Sequence, residues 1–136
     1  MVHPSTTVLT ALIAWSLSLL ILMEVLRSRL VVTKAVRANE FKPDNSNLSP
    51  FMHRLARAQA NCIEGLPIFG GLLVVAILTD RTDVTDSLAP WLLLARLVQS
   101  VTHLVSLSVP AVNLRFSAFA VQMAIAGRWS WVLLTG

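Results

Sequence analysis

The sequence predicts an all-α integral membrane protein, a four-helix transmembrane bundle, and three observations carry that expectation. Hydrophobic residues make up 55% of the 136 and charged residues 13%, whereas a soluble domain carries roughly a quarter charged residues. The mean hydropathy of +0.70 marks more apolar surface than one small core hides, so lipid is the expected solvent. The apolar residues fall into four runs separated by short polar segments, with no repeat, low-complexity tract or second domain between them.

The first run, about 6–34, is free of charge from Val8 to Met23. It reaches the roughly 20 residues a bilayer crossing needs once Glu24, Arg27 and Arg29 snorkel at its end. No basic residue precedes it, so a signal peptide is not expected and the run stays in the mature protein. The polar loop RANEFKPDNSNLSP follows, and Ser49 and Pro50 read as cap and first-turn residue of a second span, 50–78. Pro67 is expected to bend or loosen that span. DRTDVTD reads as a short acidic loop in which Asp80, Asp83 and Asp86 are solvated. A third span is expected over 87–109, with Pro110 opening a tight turn into a fourth, 112–134. Trp91, Trp129 and Trp131 are expected at the outer interface, where indoles settle.

Seven of the eleven basic residues (Arg27, Arg29, Lys34, Arg37, Lys42, Arg54 and Arg57) lie around the first loop. That places this loop in the cytoplasm and both termini outside. Absence of a retrieval tail points to a bacterial inner membrane. No aromatic residues interleave with the basic ones and tyrosine is absent, so nucleic acid is not an expected partner. A lone cysteine, Cys62, excludes an internal disulfide and reads as a small packed side chain. No metal site is expected.

Within the second span, Arg57, Asn61 and Glu64 share one helix face at spacings of four and three. Ionisable residues inside a bilayer are costly and usually face a bundle interior where they serve a function. Arg96, Gln99, His103 and Ser106 form a second row, and Asn113, Arg115 and Ser117 open the fourth span. Together they set three guanidiniums against one carboxylate near the cytoplasmic leaflet. A network made only to glue helices tends to neutrality, so the surplus points to an anionic ligand with at least two acidic groups. Glu24 is expected to pair with Arg27.

The segment RAQANCIEGLPIF, with Arg57, Asn61, Glu64 and Pro67, resembles the signature of the membrane-associated proteins in eicosanoid and glutathione metabolism, the MAPEG family. KAVRANEFKPD resembles the exit of that family's first helix, ARLVQSVTH its third helix, and VPAVNLRFSAF the turn before its fourth. The resemblance implies a homotrimer with glutathione as co-substrate in clefts between subunits. It implies glutathione contacts from Arg57, Asn61, Glu64 and Arg96, and a thiolate-stabilising catalytic role for Arg115. Gln99 and His103 stand where family enzymes usually carry tyrosine or histidine, and they are expected to hydrogen-bond the peptide instead. Lys34 and Arg37 are expected to add a cation for one of its carboxylates. The implied activity is a transferase or peroxidase attacking a lipophilic small molecule dissolved in membrane lipid. Two other functions compete: a non-catalytic family member binding a lipid or a partner protein, and a proton-coupled multidrug exporter. Retention of Glu64, Arg96 and Arg115 favours the enzyme over the first, and the position of Glu24 at the basic end of its span disfavours the second.

Overall fold

In the computed structural model, which describes residues 3–136, the chain folds into α1 (Pro4–Val32), α2 (Pro50–Leu78), the single-turn α3 (Thr82–Thr85), α4 (Ala89–Val105) and α5 (Val109–Thr135). Every long helix carries a proline in its first turn: Pro4, Pro50, Pro90 and Pro110. The ring removes an N–H that the helix would leave unsatisfied there. Ser49 caps α2 by accepting from the Met52 N–H at 3.2 Å. Ser108 does the same for α5 through the Ala111 N–H. Pro110 therefore lies inside the first turn of α5 and not in a turn ahead of it. α2 continues through Pro67 as one helix.

Helices α1, α2 and α5 are each long and apolar enough to cross a membrane, and the protein is a multi-pass integral membrane protein. The 17 residues of α4 span only about 25 Å at 1.5 Å each, less than the roughly 30 Å of hydrocarbon. The helix is shorter than the expected 87–109 run because Ser106 turns extended and its Oγ accepts from the Ser108 N–H at 3.0 Å. That bond commits Ser108 to capping the next helix. The inward face of α4 changes character along its length. Leu92 joins an apolar cluster with Val8, Leu12, Phe69, Leu73, Ile125 and Trp129. One turn later Arg96, Gln99, Ser100 and His103 are buried instead. A second apolar cluster, with Leu19, Met23, Leu55, Ala56 and Cys62, packs α1 against α2.

Two sequence expectations are corrected by this packing. Trp129 is fully buried, one turn beyond Ile125 and Ala126 on the inward face of α5, whereas Trp91 and Trp131 are exposed. Asp86 does not join Asp80 and Asp83 as a solvated loop residue: it accepts from the Ser5 N–H at 3.0 Å and the Ser5 hydroxyl at 2.6 Å, with His3 Nδ1 at 3.2 Å. It thereby caps the start of α1 from the end of α3. Burial pushes the Asp86 carboxyl up, but the bonds from Ser5 and His3 outweigh it and hold the group below its ordinary 3.8.

The first loop is tied down by Asn45, which has no exposed surface. Its side-chain oxygen accepts from Arg27 Nε and Nη2 at 2.9 and 2.6 Å, and its Nδ2 donates to the Met52 carbonyl at 2.9 Å. Arg27 also lies 5.3 Å from the Phe41 ring centroid and 3.7 Å from Glu24, the pairing expected from their spacing. Asn45 adopts φ 55°, a left-handed conformation that asparagine tolerates better than most residues. Asn45→Ala loses both the bonds and the backbone fit, so we expect about 2–3 kcal/mol of destabilisation, and less for Asn45→Gly, read by thermal unfolding in detergent. Because Asp86 is depressed in the folded state, its contribution is complete above pH 3.8 and fades as pH falls through its lower folded value. The acid limb of the unfolding profile is thus expected to flatten in Asp86→Asn.

Candidate functional site

The polar rows of α2 and α4 meet the start of α5 around a cleft of about 760 Å³. Asn61 and Glu64 from α2, Arg96 and Gln99 from α4, and Arg115 from α5 supply its polar wall. Ile68, Phe116, Phe119 and Met123 continue it as an apolar groove along α2 and α5 toward Ser130. A smaller cavity of about 230 Å³ adjoins it, lined by His53, Arg54, Arg57 and His103, and the two share Asn61 and Arg115. The structure thus gathers Arg57, Asn61, Glu64, Arg96, Gln99, His103 and Arg115 around two connected hollows. It does not bring Lys34 or Arg37 to either. Helix α1 stops at Val32, the chain reverses at Lys34 with φ 61°, and both cations are exposed, with Arg37 lying 3.7 Å from Glu40.

Arg96 is 4% exposed, and the protein holds it without neutralising it. Its Nη1 donates to the Asn61 carbonyl at 3.4 Å, and its guanidinium lies 5.6 Å from the Phe69 ring centroid, a cation–π contact. Its Nη2 is buried with no partner among the described residues, as is Nε of Arg115. Among the described residues the ion pairs are His3–Asp86, Arg27–Glu24 and Arg37–Glu40, so no cation of the site is matched to Glu64. Leaving a buried donor unmet costs about 1–3 kcal/mol, more when it is charged. Both arginines line the cleft, and among the described residues no carboxylate pairs with either. Among the described residues no three His, Cys, Asp or Glu side chains gather as metal ligands.

The remaining polar groups are oriented by one another. Asn61 Nδ2 donates to His103 Nδ1 at 3.3 Å, joining the α2 and α4 rows. Gln99 accepts from Gln122 of α5 at 2.8 Å. Cys62 packs, with its Sγ 3.2 Å from the Ser100 hydroxyl and away from the larger cleft. Ser117 turns back to the Asn113 carbonyl of its own helix at 2.9 Å, and both residues are exposed.

Three contributors escaped the reading from sequence. Phe69 looked like any apolar residue, although its place five after Glu64 sets its ring beneath Arg96. Arg54 closes the end of α4 by donating to the Leu104 carbonyl at 2.9 Å. Gln122 stands seven residues after Arg115, two turns on along one face. An amide isolated in an apolar stretch was the available signal.

The family model for the MAPEG family matches residues 5–135. The chain belongs to the MAPEG family. Membership places it among membrane proteins related to eicosanoid and glutathione metabolism, and the resemblance carried by Arg57, Asn61, Glu64 and Pro67 is thereby shown. No curated protein matches the chain, and no solved structure does.

Gly65 makes the buried position of Arg96 possible. A Cβ there would stand 2.6 Å from Arg96 Nη2 and 3.0 Å from the Phe69 ring. Arginine is the flexible partner, so Gly65→Ala is expected to push the guanidinium off its site at small cost in stability. Thermal unfolding should change little while affinity for an anionic ligand falls several-fold, measured by calorimetric titration.

Proposed function

We propose that this MAPEG protein is a glutathione-dependent transferase or peroxidase that activates the glutathione thiol for attack on a lipophilic electrophile. The observation that carries this reading is the cleft of uncompensated guanidiniums beside one carboxylate, opening onto an apolar groove. Glutathione has two carboxylates, one ammonium and one thiol. Arg57 and Arg96 suit the carboxylates, Glu64 the ammonium, and Asn61, Gln99 and His103 the peptide's amide groups. Arg115 Nε, buried and without a partner, is the donor left for the sulfur.

A cation beside a thiol lowers its pKa from about 8.5 toward neutrality, and each unit is worth roughly 1.4 kcal/mol. The thiolate sulfur then forms a bond to the electrophilic atom and the leaving group departs with its electron pair. With a hydroperoxide, the sulfur bonds to the distal oxygen as the O–O bond breaks, and the alkoxide leaves and takes a proton from water. A second glutathione then reduces the resulting sulfenic acid to the disulfide and water. The protein's share is positioning and preorganised charge. The groove past Phe116, Phe119 and Met123 suits an electrophile arriving from lipid.

We take the assembly to be a homotrimer, in which Lys34 and Arg37, remote from their own subunit's cleft, reach toward a neighbour's. The same reading puts both termini outside the cytoplasm of a bacterial inner membrane, with the basic first loop inside.

The test is an ultraviolet difference spectrum of the purified protein with glutathione at neutral pH. A saturable thiolate band is expected, and Arg115→Ala should abolish it while leaving glutathione affinity within a few-fold. Binding without any band in the unmodified protein would remove the catalytic role of Arg115 and favour a non-catalytic member that holds a lipid or partner.

A further inference from the structure

Gln122 is fully buried and makes no contact with the cleft itself, yet it reaches a residue that does. Its Nε2 donates both hydrogens, one to the Ala118 carbonyl at 3.2 Å and one to Gln99 Oε1 at 2.8 Å. The first of these bonds fixes the orientation of the whole chain of amides. The Ala118 carbonyl is an acceptor only, one turn back on the same helix, so the atom beside it must be the nitrogen of Gln122. That same nitrogen faces Gln99, which must therefore present its oxygen. Gln99 Nε2 is left with two hydrogens and no bond to the described residues, on a side chain that lines the cleft.

Resting on the proposed glutathione site, we propose that Gln122 is a positioning residue that fixes Gln99 as a hydrogen-bond donor toward an acceptor oxygen of the bound ligand. A glutamine free to rotate offers oxygen or nitrogen nearly equally. Anchored through Gln122 to a backbone carbonyl, it offers only N–H. The donor belongs with Arg96 and Arg115, so the polar wall is built for an acceptor-rich ligand, and Glu64 is left to take the ligand's positive group. The oxygen of Gln122 is buried without a partner. That is an uncompensated cost in the protomer, tolerated in an arrangement that holds Gln99 in one sense.

The chain has three glutamines, Gln59, Gln99 and Gln122, so labelling glutamine side-chain amides with ¹⁵N gives three NH₂ pairs in the intact protein. Before any ligand is added, the Gln122 pair should exchange with water far more slowly than that of Gln59. Gln122→Met, which keeps the length and packing, should shift or split the Gln99 pair. In Gln122→Glu, the buried carboxyl keeps its proton and donates it to the Ala118 carbonyl, leaving only an acceptor toward Gln99, so Gln99 should reverse and its NH₂ pair become protected. Both variants should raise the glutathione dissociation constant about five- to tenfold. The double variant Gln99→Leu/Gln122→Met should bind no more weakly than Gln99→Leu alone, because one residue acts through the other. Additive losses, or a Gln99 pair unmoved in both Gln122 variants, would overturn the proposal. If the unmodified protein binds no glutathione, the thiol reading fails, and the ligand-free amide spectra still decide whether Gln122 sets Gln99.

Discussion

A guanidinium walled into a lipid-embedded bundle is costly, and among the described residues no carboxylate pairs with Arg96. The packing around Arg96 is arranged to hold a cation in place: the Asn61 carbonyl takes one of its donors, the Phe69 ring lies beneath it, and Gly65 leaves room for its outer nitrogen. None of these carries a full negative charge. Taking an ion out of water costs several kcal/mol even after relaxation, and a bundle built only for stability would place a carboxylate beside it or an apolar residue in its stead. Glu64 lines the same cleft and forms no ion pair among the described residues, so the positive charge there stays unmatched.

The rest of the fold positions that polar layer between two apolar clusters. Apolar clusters bury the helices on both sides of it, one around Leu73, Leu92 and Trp129, the other around Leu19, Leu55 and Cys62. Helix α4 is short because Ser106 turns extended and holds the Ser108 N–H, and it hands over to α5 through Ser106 and Ser108 within three residues. That tight handover places Arg115, two turns into α5, across from Arg96. At the ends of the bundle, Asn45 ties the first loop to α1 and α2, and Asp86 ties the end of α3 to the start of α1, so α1 is held at both of its ends. The cleft along α2 and α5 thus has a polar end at Asn61, Glu64, Arg96, Gln99 and Arg115 and an apolar end at Phe116, Phe119 and Met123.

Much of this was legible in the residues. Arg57, Asn61 and Glu64 stand out because charge inside an apolar run is costly and because three- and four-residue spacing means one helix face. The same spacing exposed Arg96, Gln99 and His103, and Ser49 followed by Pro50 marks a helix start on local chemistry alone. What stayed hidden depends on helix rotation or on contacts distant in sequence. Trp129 and Trp131 are two residues apart and both look like interface indoles, but a rotation of about 200° between them sends one to the core. Asp86 reads as loop until the start of α1 comes beside it. Gln122 and Phe69 act through other side chains, and no periodicity announces that. Lys34 and Arg37 lie at the expected helix exit, but that exit is away from the cleft.

Calorimetric titration of the reconstituted protein with glutathione and with its diethyl ester, which keeps the thiol and ammonium but neutralises both carboxylates, tests the charge deficit most directly. The account predicts that glutathione binds and that the ester binds at least a hundredfold more weakly, with the glutathione affinity falling as salt is raised. Equal affinity for the two would contradict it, and would mean that the unmatched arginines are not what the cleft uses to hold its ligand.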